Sequence, residues 1–156
     1  MAKRKVFYSF HFDNDVFRVQ QIRNMGILEG VEPTTPNMWE EIKRSDRGVQ
    51  NWIDQNLNGK SCLVVLIGSE TAKRKWVLYE IQRAWELGKT VIGINIHNLK
   101  CPRTGYGKKG ENPFKAFTFE RGGKIVVPPV YNPKPDDAYA DIKANLSIWL
   151  EDAINN

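Results

Sequence analysis

Leu63-Val64-Val65-Leu66-Ile67, with Cys62 ahead of it and Gly68-Ser69 behind, is the stretch on which the fold turns. An unbroken aliphatic run has no polar face to give to water, so as a strand it must be covered on both sides. The flanking sequence supplies the covers. Upstream, Val49, Trp52, Ile53 and Leu57 recur at helical spacing, with Asp46 placed to cap the start and Asn58-Gly59 to stop it. Downstream, Val77, Ile81, Ala84 and Trp85 form a second apolar stripe that Gly88 closes.

The same alternation extends in both directions. Val6–Phe10 and Val91–Ile96 read as covered strands, and Lys124–Val127 as a weaker fourth. Tyr139, Ile142, Leu146, Trp149 and Leu150 make a third helical stripe, opened by Asp136 or Asp137. Residues 13–24 read as a less regular helix. Residues 28–39, with two prolines, read as a loop with room for a short strand. Strands alternating with helices predict an α/β fold: a doubly wound parallel sheet of about five strands, in one domain over residues 1–156. Right-handed crossovers favour the flavodoxin-like order, which places Val6–Phe10, Leu63–Ile67 and Val91–Ile96 side by side, with the first central. Ligands in such sheets bind beyond the carboxyl ends of the strands, where the first and third diverge. Here those ends are Ser9-Phe10-His11 and Gly68-Ser69.

Composition narrows the function classes. A chain of 156 residues with 41% hydrophobic and 26% charged residues is an ordinary globule, large enough to fold without metals or disulfides. Cys62 and Cys101 form no CxxC pair, and the two histidines are too few and too far apart for a metal site. Lys3-Arg4-Lys5 leads straight into a strand with no cleavage pattern, and no apolar run is long enough to cross a membrane, so a cytoplasmic protein is expected. The net charge of +5 fits a phosphorylated small ligand or simple solubility. Apart from that basic start and Lys73-Arg74-Lys75, its basic residues are scattered, with no aromatic–basic signature, so no specific nucleic-acid partner is expected.

Phosphate-loop, dinucleotide-fold and GxSxG signatures are all absent. His97, ending a strand, reads as a structural hydrogen-bonding residue, whereas His11 lies at the expected ligand edge. Glu80 resists a bland reading. On a helical wheel it falls on the shoulder of the Val77–Ile81–Ala84 stripe, one turn beyond Trp76. A carboxylate there is partly desolvated beside an aromatic surface, which raises its pKa and suits a functional role. An ion pair with Arg83 explains the same placement, and periodicity does not choose between the two.

The ordered set Val64–Thr71 and Trp76-Val77-Leu78-Tyr79-Glu80-Ile81 resembles the third strand and following helix of TIR domains. Val6–His11 with Asp15 and Arg18, Gly93–His97 and Gly110-Glu111-Asn112-Pro113-Phe114 are similar to the TIR-like branch of bacterial Thoeris anti-phage systems. The resemblance covers most of residues 4–114 and thins thereafter. The proline–glycine loop of animal and plant TIR domains is missing between Gly26 and Trp39. The resemblance implies cleavage of the nicotinamide–ribose bond of NAD with Glu80, the glutamate of WxxxE, as catalytic carboxylate. It implies NAD as substrate, no cofactor and no metal. It further implies a cyclic ADP-ribose-type product that reaches an effector protein as a diffusible signal, with homo-oligomer formation compatible. Such chemistry wants a carboxylate facing an oxocarbenium-like ribose and aromatic platforms for the base. Phe10, Trp39 and Trp76 are the candidate platforms, each equally readable as core. Ser9 reads either as a contact to phosphate or ribose oxygens or as a cap for the first helix. The rival from another class is a TIR-type interaction module that catalyses nothing, since fold does not fix function. A nucleotide sensor without turnover would share the pocket.

Overall fold

The computed structural model describes residues 3–31 and 44–156. Its main sheet contains β1 (Lys5–Ser9), β2 (Glu29–Val31), β3 (Cys62–Ile67), β4 (Thr90–Asn95) and a late strand, β7 (Val130–Tyr131). Their order is β2-β1-β3-β4-β7, and every pairing is parallel. This is the flavodoxin-like order, with one correction: β3 and not β1 is the central strand. All six residues of β3 are buried, as the unbroken aliphatic run requires.

The helices are α1 (Phe12–Asn24), α2 (Asp46–Leu57), α3 (Lys75–Glu86) and α4 (Ala138–Asn155). Alternation along the strands divides the interior into two cores. Val6, Tyr8, Val64, Leu66, Ile92 and Ile94 face α1 and α4, where they meet Val19, Ile22, Ile142 and Leu146. Phe7, Leu63, Val65, Ile67 and Val91 face α2 and α3, where they meet Ile53, Leu57, Val77 and Ile81. Each fully buried side chain of this kind contributes about 1.5–3 kcal/mol. Among the described residues no helix is long and apolar enough to cross a membrane.

Two boundaries shift. Ser45, not Asp46, caps α2: its Oγ accepts from the Gly48 N–H at 3.0 Å, and Asp46 is the first helical residue. At α4 the cap is Asp137, accepting from the Ala140 N–H at 3.0 Å. Gly88 ends α3 with a φ of 76°, the left-handed turn that favours glycine.

The expected fourth strand, Lys124–Val127, is also corrected. A Gly122-Gly123 turn, both residues at positive φ, folds β6 (Lys124–Ile125) antiparallel onto β5 (Glu120–Arg121) as a separate hairpin. Ile125 and Val127 are left exposed. The last sheet position goes to β7, which pairs Gly93 with Val130 and Ile94 with Tyr131.

Candidate active site

β1 ends at Ser9, and the chain turns through Phe10 and His11 into α1. The β3–α3 connection rises beside it. Between them opens a cavity of about 460 Å³ lined by Phe10, His11, Phe12 and Asp13 on one side and by residues 73–77 and Glu80 on the other. This is the switch point of the sheet, the place topology assigns to ligands.

Glu80 sits at the bottom of this cavity, 6% exposed. Its Oε1 accepts a 2.6 Å hydrogen bond from the Ser9 hydroxyl. Desolvation pushes the carboxyl up to about 8, with the Ser9 hydrogen bond pulling the other way. The alternative ion pair is not formed. Arg83 turns away to Asp54 at 3.1 Å and Glu86 at 3.3 Å. A buried carboxyl with a displaced pKa, open on one side to a cleft, makes Glu80 the candidate functional group of this site.

The other sequence candidates are placed as follows. Phe10, His11 and Trp76 line the cavity with Glu80. The Trp76 ring packs edge-on against Tyr79 at 5.7 Å, and the Lys75 ammonium lies 4.7 Å from its centroid. Ser9 is wholly buried and meets the cavity only through Glu80, and it does not cap α1, whose N-cap is His11. Trp39 lies outside the described residues. Sequence reasoning missed Phe12 and Asp13 on the rim and took Lys73-Arg74-Lys75 for a charge run. The available signal was position: the run immediately precedes Trp76 at the switch point.

A second, smaller cleft of about 190 Å³ lies across the first turn of α1, between Asn14, Asp15 and Arg18 on one side and Thr104, Tyr106, Gly107 and Lys108 on the other. Here a nearly inaccessible ion pair joins Arg18 Nη1 to Asp15 Oδ1 at 3.2 Å. Arg18 also donates to the carbonyls of Leu99 at 2.9 Å and Gly105 at 3.0 Å, tying the loop after β4 to α1. The fit is tight: a Cβ on Gly68 would lie 2.1 Å from Asp15 Oδ2, and one on Gly110 would lie 2.0 Å from the Gly68 carbonyl. His97 borders this cleft, its carbonyl accepting from Gly107 N–H at 2.8 Å.

The displaced Glu80 pKa carries a stability consequence that does not depend on function. An unfolded glutamate ionises near 4.5, whereas folded Glu80 holds its proton to about 8. Its contribution is therefore complete below pH 4.5 and drains away as pH rises through 8. Melting curves between these limits should show Glu80→Gln gaining on the wild type as pH rises, by a few kcal/mol at most. A constant difference across the range would show that Glu80 titrates normally.

Comparison with known proteins agrees with the fold. The family model described as "Thoeris protein ThsB, TIR-like domain" matches residues 7–101, a span that includes Ser9, Trp76 and Glu80. A Bacillus cereus (strain MSX-D12) protein named "Putative cyclic ADP-D-ribose synthase ThsB1" is 39% identical over 126 residues. The match takes in 77% of this chain and 65% of that protein's length. With its parallel five-stranded sheet and this match over most of its length, the chain belongs to the TIR-like family of Thoeris ThsB proteins.

Proposed function

We propose that this protein cleaves the nicotinamide–ribose bond of NAD and closes the ADP-ribose remnant into a cyclic signal nucleotide, with Glu80 as the catalytic carboxylate. The observation that carries the reading is Glu80 itself, a desolvated carboxyl fixed by Ser9 at the bottom of an aromatic-walled cleft. The name of the Bacillus cereus relative supports the product class.

In this reading the bond from ribose C1′ to the pyridinium nitrogen breaks heterolytically. Its electron pair leaves with neutral nicotinamide, and positive charge develops on the ribose. Ionised Glu80 faces that charge and stabilises it in a site where water screens little. Burial favours the protonated form, so the cationic nicotinamide ring must pull the Glu80 pKa down as it binds. Phe10 and Trp76 offer faces for the planar rings. A nucleophilic atom of the same molecule then captures C1′ and sheds a proton, and exclusion of water favours this closure over hydrolysis. No cofactor takes part in the scheme. The cyclic product leaves by diffusion to an effector protein.

The test is incubation of purified protein with NAD, alone and with lysate of phage-infected cells, followed by chromatography for nicotinamide and cyclic products. Release of nicotinamide with a cyclic product is expected. Below the Glu80 pKa, kcat/KM should rise about tenfold per pH unit, because only the ionised form works. NAD binding without nicotinamide release under either condition would leave a sensor. Neither binding nor release would leave an interaction module.

A further inference from the structure

The Glu80 cavity is electrically divided. Its deep end holds a carboxyl, whereas its α3 rim is lined by a dense cationic run, Lys73-Arg74-Lys75. The three cations are not equivalent. Lys73 lies 3.5 Å from Glu70 and Lys75 lies 2.8 Å from Asp46, so each is partly neutralised. Arg74 is exposed, and no ion pair or hydrogen bond engages its guanidinium among the described residues. Among the described residues, Asp13 is the only acid besides Glu80 on the lining, and it comes from the opposite wall, on α1.

Distance sharpens the division. Arg74 is the N-cap of α3, six positions before Glu80, which along a helix axis is about 9 Å. A single ribose with its methylene, plus the reach of an arginine side chain, spans such a gap. A ligand whose glycosidic carbon rests at Glu80 therefore places its 5′-phosphate at the rim. The planar guanidinium fork suits paired phosphate oxygens better than a lysine does.

We infer that Arg74, flanked by Lys73 and Lys75, is a diphosphate-binding lip that makes the site selective for dinucleotides over phosphate-free nicotinamide ribosides. The inference rests on the NAD-cleaving reading and adds to it the group that recognises the anionic half of the substrate. Part of the net charge of +5 then has a purpose at one rim of one cavity.

The test pairs turnover with direct binding in the wild type, Arg74→Gln and Arg74→Lys, with melting temperature as folding control; Arg74 is exposed, so the fold should tolerate both changes. Calorimetry with ADP-ribose, which needs no turnover, should show affinity falling about tenfold or more in Arg74→Gln and partly recovering in Arg74→Lys. KM for NAD should rise by a similar factor with a smaller change in kcat, and nicotinamide riboside should be affected far less. Equal ADP-ribose affinity in wild type and Arg74→Gln overturns the lip, and NAD turnover alongside that result leaves the NAD-cleaving reading standing. Equal weakening of NAD and nicotinamide riboside also overturns it, because the loss would not follow the phosphates. ADP-ribose affinity that depends on Arg74 in a protein that releases no nicotinamide supports the lip while counting against the reaction. A wild type that binds neither NAD nor ADP-ribose overturns both.

Discussion

Glu80→Gln is expected to lower nicotinamide release from NAD by about 10²–10³-fold, the usual cost of removing one preorganised electrostatic partner of a transition state. Glutamine keeps the shape, and its carbonyl still accepts from the Ser9 hydroxyl, which now bonds Glu80 Oε1 at 2.6 Å. What it removes is the negative charge opposite the ribose. NAD affinity should persist, because the phosphates and rings are held by other groups. On sequence alone the substitution looks neutral for stability, since glutamine and glutamate have near-equal helix propensity. Burial changes that expectation: with no carboxyl left to ionise in a dry site, the variant should melt higher than the wild type at pH 8. A more stable but inactive protein is a result that misfolding cannot imitate. The decisive measurement is nicotinamide release beside melting temperature for both proteins. Equal release would remove Glu80 from the mechanism.

The second large effect falls on stability. Arg18→Ala should cost about 3–5 kcal/mol, because it strands a buried acid and releases two loop carbonyls together. The Asp15 side of the pair is already strained electrostatically: desolvation pushes its carboxyl up to about 6 although Arg18 and the Asn14 amide oppose the shift. In a domain of this size such a loss lowers the melting temperature by about 10 °C. The double substitution Asp15→Asn with Arg18→Met should recover much of the loss, since it removes both charges and fills the volume. Denaturant unfolding of the single and double variants checks this. A single-variant loss under about 1 kcal/mol would mean that Asp15 and Arg18 behave as a surface pair, despite side chains only 1% and 4% exposed.

What the sequence determined by itself was everything that follows from periodicity and immediate neighbours. The aliphatic run in residues 62–67 had to be a covered strand, and the Val77, Ile81 and Ala84 stripe had to turn inward. WxxxE spacing alone puts Trp76 and Glu80 on one side of α3, one turn apart. Ordered motifs in residues 4–114 were enough to bring the TIR-like family into view. Tertiary structure decided the matters that depend on which elements become neighbours. Lys124–Val127 and Val130–Tyr131 are both short β-prone runs, and only the double-glycine turn and the reach back to Gly93 assign the sheet edge to the latter. Glu80 was equally suited to Arg83 or to a cleft until the β1–β3 register set Ser9 beside it, 71 residues away in sequence. A hydroxyl that reads locally as a helix cap thereby became the partner of a buried carboxyl, and a charge run became the rim of its cavity. The physical reason is one of range: side-chain spacing along a segment fixes which face is buried, but the identity of what it meets is set by strand pairing, and strand pairing is non-local.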